Sequence, residues 1–324
     1  MATKKDRKPR LWGLGDRWSL AALAAVAAVA VTRSVSGGGV ESVDVPLPSV
    51  DDAPVASLPL EVNERVEYWL ERFTTDQRPT MERFLAHEEV YGAIIRNRLR
   101  AREMPEELLY LAGIESGFQT RATSSKAAAG VWQFMGPTAE QYGLRVNEFV
   151  DERRDPIRAT DAALDYLQDL HGRYGSWYLA AAAYNAGPSR VNRALRRSDR
   201  TGVEEEAVFW EIQHHLPRET REYVPRMIAA TMLANEAETY GFGDVVRRGA
   251  YAYDRVWVPG GTSLWAVAEA TGADMRAMRS LNPHLLQSVV PPGASYELRV
   301  PVGSTHQVVA SIGGGPWGRM AADD

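Results

Sequence analysis

The sequence predicts a mainly α protein with a small α+β module at its C-terminal end, and three observations carry that prediction. Apolar residues recur at helical spacing from Glu61 to about Gly241. Several of these periodic segments open on Pro and close on Gly (Gly117, Gly143, Gly187), the asymmetry expected of helix ends. After Gly249 the pattern changes to an alternating segment, two short helical segments and a second strand, a βααβ order.

Composition narrows the function classes. The chain has 324 residues, 45% apolar and 24% charged, which are globular proportions. A net charge of -5 argues against a nucleic-acid partner, which selects for Lys and Arg. The absence of Cys excludes disulfides, thiolate zinc sites, a cysteine nucleophile and a lipid-modified N-terminal Cys.

Taken in order, residues 1–35 read as a signal peptide or membrane anchor. Lys4, Lys5, Arg7, Lys8 and Arg10 precede an uncharged Ala/Val/Leu run over 19–31. Ala28-Val29-Ala30 offers a cleavage site; without cleavage the run is a possible inner-membrane anchor. Either outcome puts the remainder outside the cytoplasm, in the cell envelope. Residues 36–60, rich in Gly, Pro, Ser and Asp, read as a disordered linker. Over 61–102 two apolar stripes, Val62/Val66/Trp69/Leu70/Phe73 and Met81/Phe84/Leu85/Tyr91/Ile94/Ile95/Leu99, predict N-terminal helices packing on the next domain. That domain covers 103–245, with helices expected over 105–116, 137–142, 156–172, 177–186, 204–213 and 219–240. The module covers 250–302, and the Gly-rich 303–324 reads as a disordered tail.

Chemistry concentrates where these helices start, stop or break. Leu108, Leu111, Ala112 and Glu115 share one helix face, so a carboxylate follows three apolar residues toward the interior. Desolvation and the negative end of the helix dipole both disfavour its ionisation, which suits a general acid. Gln133 follows the apolar turn Gly130-Val131-Trp132, and Asn185 stands in the last turn of an Ala-rich helix after Tyr184. Tyr223 precedes Val224-Pro225, where Pro is expected to break or kink the helix. An acid, two amides and a phenol equip a carbohydrate cleft. Glu148, Asp151, Glu152 and Asp155 read as a solvated charged loop, and the Arg153-Arg154 and Arg196-Arg197 pairs as solvated faces. His171 and His214-His215 lack companions at metal-ligand spacing, so neither metal nor cofactor is expected. Neither a G-x-S-x-G elbow nor a phosphate loop is present.

Four motifs in order resemble the soluble-lytic-transglycosylase (SLT) domain family, in its membrane-bound murein-transglycosylase D branch. They are Glu115-Ser116, Gly130-Val131-Trp132-Gln133, Ala183-Tyr184-Asn185-Ala186-Gly187 and Glu219-Thr220-Arg221-Glu222-Tyr223-Val224-Pro225. The resemblance implies a goose-lysozyme-like all-α fold that cuts the MurNAc-β-1,4-GlcNAc bond of peptidoglycan glycan strands without water, leaving 1,6-anhydro-MurNAc ends. It implies Glu115 as the single acid/base. Ser124, with Ser125 beside it as a substitute, polarises the N-acetyl group. Ser116, Gln133, Tyr184, Asn185 and Tyr223 fall on substrate positions. The sequence departs from the family at Val131-Trp132, expected to reshape a sugar subsite. Gly260-Gly261-Thr262-Ser263-Leu264, Leu281-Asn282-Pro283 and Leu298-Arg299-Val300-Pro301 look like a degenerate LysM module, a weak glycan anchor or a packing element. The competing readings are a goose-type lysozyme, which hydrolyses with water, and a catalytically silent peptidoglycan-binding scaffold.

Overall fold

The computed structural model describes residues 57–198 and 205–312; the expected leader and most of the expected linker lie outside them. The described chain is mainly helical, with one two-stranded sheet. No helix among the described residues is long and apolar enough to cross a membrane.

Two helices lead: α1 (Glu64–Thr74) and α2 (Arg78–Arg100). Asn63 starts α1 by accepting from the backbone of Arg65 and Val66 at 3.0 and 3.2 Å, and Val66, Trp69 and Phe73 form its buried stripe. The fold already includes Leu58, which is buried and bonds the Glu107 carboxylate, so the linker ends earlier than its composition suggested.

The domain's centre follows as α3 (Leu109–Ser116), α4 (Gly136–Gln141), α5 (Pro156–Tyr174), α6 (Trp177–Ala186), α7 (Pro188–Arg197), α8 (Ala207–Ile212) and α9 (Arg218–Asn235). Ala180 to Ala183 of α6 are completely buried, and their small side chains let α5, α7 and α9 pack closely around it. Within the helix expected over 219–240, α9 runs through Pro225 without ending, so Pro225 does not break it. Pro225 is buried within α9, whose packing holds the helix across the missing N–H.

The C-terminal module pairs β1 (Asp254–Val258) antiparallel with β2 (Tyr296–Val300), with α10 (Leu264–Thr271) and α11 (Met275–Leu281) between them. A further helix, α12 (Thr305–Ile312), replaces part of the expected disordered tail. It packs on α10 and β1 and buries Val308 in the module's own apolar cluster.

The charged loop also departs from expectation. Asp151, Glu152 and Asp155 are buried at 4%, 1% and 0% exposure, while Glu148 is exposed. Each buried acid has arginine partners: Arg153 and Arg154 for Asp151, Arg145 and Arg158 for Glu152, and Arg299 for Asp155. Arg153 and Arg154 are accordingly structural rather than solvated, whereas Arg196 and Arg197 are exposed.

Candidate active site

Glu115 sits in the last turn of α3, which ends at Gly117 with φ 61°, in the left-handed region. The helix lies tightly against α2: a Cβ at Gly113 would overlap the Phe84 ring. This packing sets Glu115, half-buried, on the common wall of two cavities of about 420 and 850 Å³. Both volumes fall within the roughly 300–1,000 Å³ of ligand pockets. Glu115, Ser124 and Gln133 are the residues that line both cavities, so they mark the junction of a two-lobed cleft.

Burial pushes the Glu115 carboxyl from its ordinary 4.5 up to about 7. The Tyr223 hydroxyl donates to Oε1 at 2.7 Å and pulls it back, as does the charge of Arg226; Glu219 pushes it further up. At neutral pH the group therefore exists in both forms, able to give a proton and to take one back.

The second wall is the loop 117–135. Bridges between Thr123 and Ala129 and between Ala129 and Phe134 fold it on itself. At its tight turn Gly130 has φ 81° and no room for a Cβ against the Arg153 carbonyl. Gln133 adopts a left-handed φ of 50°, uncommon for a residue with a side chain. Its Nε2 compensates by donating to the carbonyls of Gly130 at 2.8 Å and Ala122 at 3.4 Å. Both amide hydrogens are engaged, so Gln133 offers the cleft an acceptor, Oε1. Asn185 is the complement. Its Oδ1 accepts from the buried Thr220 hydroxyl at 2.8 Å, which leaves Nδ2 as a donor toward the larger cavity. Ser124 accepts from the backbone of Lys126 and Ala128 at 3.3 and 3.1 Å and keeps its own proton to donate.

Ser116 and Tyr184 each gain a protein partner, and one expectation, that for Val131-Trp132, changes. The Ser116 hydroxyl donates to the Val131 carbonyl at 2.7 Å and so ties α3 to the loop, while Ser116 also lines the smaller cavity. Tyr184 donates to the Trp132 carbonyl at 2.8 Å; what it offers the cleft is its ring, beside that of Tyr166. Val131 and Trp132 are fully buried, and the indole donates to Thr160 at 2.9 Å, so this departure from the family reshapes the core and not a subsite.

Sequence reasoning missed the contribution of α2, whose Thr80, Met81, Phe84 and His87 line the smaller cavity. It also missed Arg226, one helical turn after Tyr223, which lines that cavity with its guanidinium against the Trp69 ring at 4.9 Å. The i, i+3 spacing from Tyr223 was the available signal. Glu219, the first residue of the segment that ends at Pro225, is exposed on the wall of the larger cavity. Among the described residues no group of three His, Asp or Glu is arranged to hold a metal ion.

Residues 92–206 match the family model of the transglycosylase SLT domain, and residues 252–311 match that of the lytic transglycosylase MltD, LysM-like domain. The two matched segments are thus similar to an SLT domain and to an MltD-type LysM-like domain. The membrane-bound lytic murein transglycosylase D of Escherichia coli (strain K12) is 32% identical over 228 residues, 70% of this chain and 50% of the relative. The chain thus spans half the length of that relative. The peptidoglycan transglycosylase gp16 of Escherichia phage T7 is 31% identical over 139 residues, covering 40% of this chain and 10% of that protein. Among solved structures, the 70 kDa soluble lytic transglycosylase SLT70 from Escherichia coli aligns at 21% identity and a TM-score of 0.39, over 58% of this chain and 32% of that one. The SLT match includes Glu115, Ser124, Gln133 and Asn185, while Tyr223 lies beyond its end. The LysM-like match includes α12, consistent with that helix belonging to the module.

Proposed function

We propose that the chain is a peptidoglycan lytic transglycosylase that cleaves MurNAc-β-1,4-GlcNAc bonds without water, in the cell envelope. The observation that carries this reading is a half-buried carboxyl with a pKa of about 7, hydrogen-bonded to Tyr223 where two cavities meet. A glycan strand laid through both lobes brings a glycosidic oxygen to Glu115. The protonated carboxyl donates to that oxygen as the bond to the anomeric carbon breaks. The N-acetyl carbonyl of the same sugar, polarised by the Ser124 proton, supports the positive charge left behind. Glu115, now a carboxylate, accepts the proton of the C6 hydroxyl as its oxygen closes on the anomeric carbon. The proton given is recovered, no water is consumed, and the nucleophile belongs to the substrate. Gln133 as acceptor and Asn185 as donor orient the sugars on either side. The membrane-bound name of the transglycosylase D relative supports an envelope location.

Glu219 is the one observation that favours hydrolysis, since ordinary glycosidases use a pair of carboxylates. Its exposure makes it a solvated group on the rim, and the half-buried Glu115 where the two cavities meet supports the lyase. Digestion of purified sacculi followed by mass spectrometry tests the choice. Products lighter by one water than lysozyme products are expected, and Glu219→Gln keeps most turnover. Hydrated reducing ends, or a dead Glu219→Gln, would reject the reading.

A further inference from the structure

The LysM-like module is joined to the SLT domain by a buried ion pair and by backbone pairing. Asp155, at the start of α5, accepts from the backbone of Ile157 and Arg158 and from Arg299 of β2, whose Nη2 lies 2.9 and 2.8 Å from its two oxygens. His284 stands beside the pair, and burial lowers its imidazole to about 4, so Arg299 alone neutralises the carboxylate near pH 7. Next to this, the segment 146–151 pairs with the module. Leu286 donates to the Phe149 carbonyl and Asp151 to the His284 carbonyl, both at 2.9 Å, and Val150 enters the module's apolar cluster.

The same segment grips the cleft loop. The Asp151 carboxylate accepts from Arg153 at 2.8 and 2.9 Å and from Arg154 at 3.2 Å. Arg153 Nη1 donates to the carbonyls of Ala127 and Phe134 at 2.9 and 3.2 Å, on either side of the Gln133 turn. Arg154 donates to the Arg121 carbonyl at 3.0 Å and to the Thr123 hydroxyl at 2.9 Å, immediately before Ser124. Asp151 thus touches the module through its backbone and holds, through its side chain, both arginines that fix the loop. A tethering module does not require such wiring, because a flexible linker serves a tether equally well.

We infer that the LysM-like module is a positioning element of the cleft, acting from Arg299 and the 146–151 segment through Asp151, Arg153 and Arg154 on the loop that carries Ser124 and Gln133. The inference rests on the proposed role of that loop in orienting the sugars. Arg299 lines neither cavity, so it is a positioning residue.

The test uses the full chain and a short soluble peptidoglycan glycan, so that anchoring to sacculi plays no part. In Asp155→Asn/Arg299→Met the charge pair is removed together, leaving no unpaired buried ion, and Asn can still cap α5. We expect kcat to fall about tenfold or more while KM stays within about twofold, since misplacement of orienting groups acts on turnover. Amide hydrogen exchange over 121–134 should accelerate in parallel. Unchanged kcat and unchanged exchange in a folded variant would overturn the inference, as would an effect confined to binding of sacculi. Arg153→Gln covers the case of a variant that does not fold. It cuts the latch and leaves the module seated, so the loop should exchange faster while 254–300 does not; equal protection of the loop overturns the inference. Absence of anhydro products from the wild type would remove the proposed function while leaving the exchange result to be read by itself.

Discussion

Replacing Glu115 by Gln perturbs stability as well as chemistry, and the two effects have opposite signs. Burial raises this carboxyl from 4.5 to about 7 because the folded site disfavours the charged form. The unfolded chain therefore releases this proton at lower pH than the folded protein does. Stability is undiminished below about pH 4.5, falls as pH rises through the interval, and levels off above about 7. At about 1.4 kcal/mol per unit, the penalty reaches about 3 kcal/mol at pH 8.5 and about 1 kcal/mol at pH 5. These are upper values, since the side chain borders an open cleft where solvent screens its charge. Gln cannot ionise and can still accept from Tyr223. Urea denaturation of both proteins at both pH values measures the gap between them, and the change in that gap cancels every other titrating group. The variant should be the more stable protein, by ~1–3 kcal/mol at pH 8.5 and distinctly less at pH 5. Turnover should meanwhile fall by about a thousandfold, within the usual range for loss of a general acid. A stability gap equal at the two pH values, or larger at pH 5, would refute the argument that burial controls this carboxyl.

The other predictions concern its surroundings. The alkaline limb of the wild-type pH–rate profile should lie near 7, and Tyr223→Phe should move it to higher pH, because the lost hydrogen bond was lowering the Glu115 pKa; a limb moved downward would count against the pairing. Gly130→Ala forces a side chain against the Arg153 carbonyl at φ 81°, so chemical denaturation should show a loss of about 2 kcal/mol or more, with turnover falling as Gln133 shifts. Trp132→Phe removes the buried bond to Thr160 and should cost about 1–2 kcal/mol in the same assay while leaving KM unchanged; a raised KM would return Trp132 to the cleft.

Local signals in the chain located much of this architecture. Leu108, Leu111 and Ala112 are fully buried, and Glu115, on the same stripe, emerges at the cleft. Leu109 and Tyr110 are buried as well, so α3 enters the core on all sides and the helix period located Glu115 only in part. The burial of Asp155 could not be read locally, because an acid enters a core only with a partner, and Arg299 is 144 residues away, whereas the arginines that pair with Asp151 and Glu152 stand close by in the chain. The helix α12 was legible in part. Val308 and Ile312 stand four apart, but the following Gly313, Gly314 and Gly315 weighted the segment toward disorder. Trp132 illustrates the opposite error, since an aromatic beside a polar motif invites a sugar-stacking role that only burial can exclude.

The polar groups of the cleft share a logic that explains why helix punctuation revealed them. Inside a helix the backbone is self-satisfied, so a side-chain amide there has no local partner to fix its orientation. At ends and turns free carbonyls and hydroxyls are available. Gln133 uses the carbonyls of Gly130 and Ala122, Asn185 the hydroxyl of Thr220, and Ser124 the amides of Lys126 and Ala128. Each group gives one half of its bonding capacity to the protein and presents the other half to the cavity with a defined polarity. In the proposed function, the resulting pattern of an acceptor at Gln133, a donor at Asn185 and a donor at Ser124 would complement an N-acetylated sugar only while the loop keeps its shape. Rigidity of that loop is therefore a chemical requirement rather than a matter of stability alone. Arg153 and Arg154 on Asp151 bond that loop, and the Asp151 backbone bonds the LysM-like module at His284.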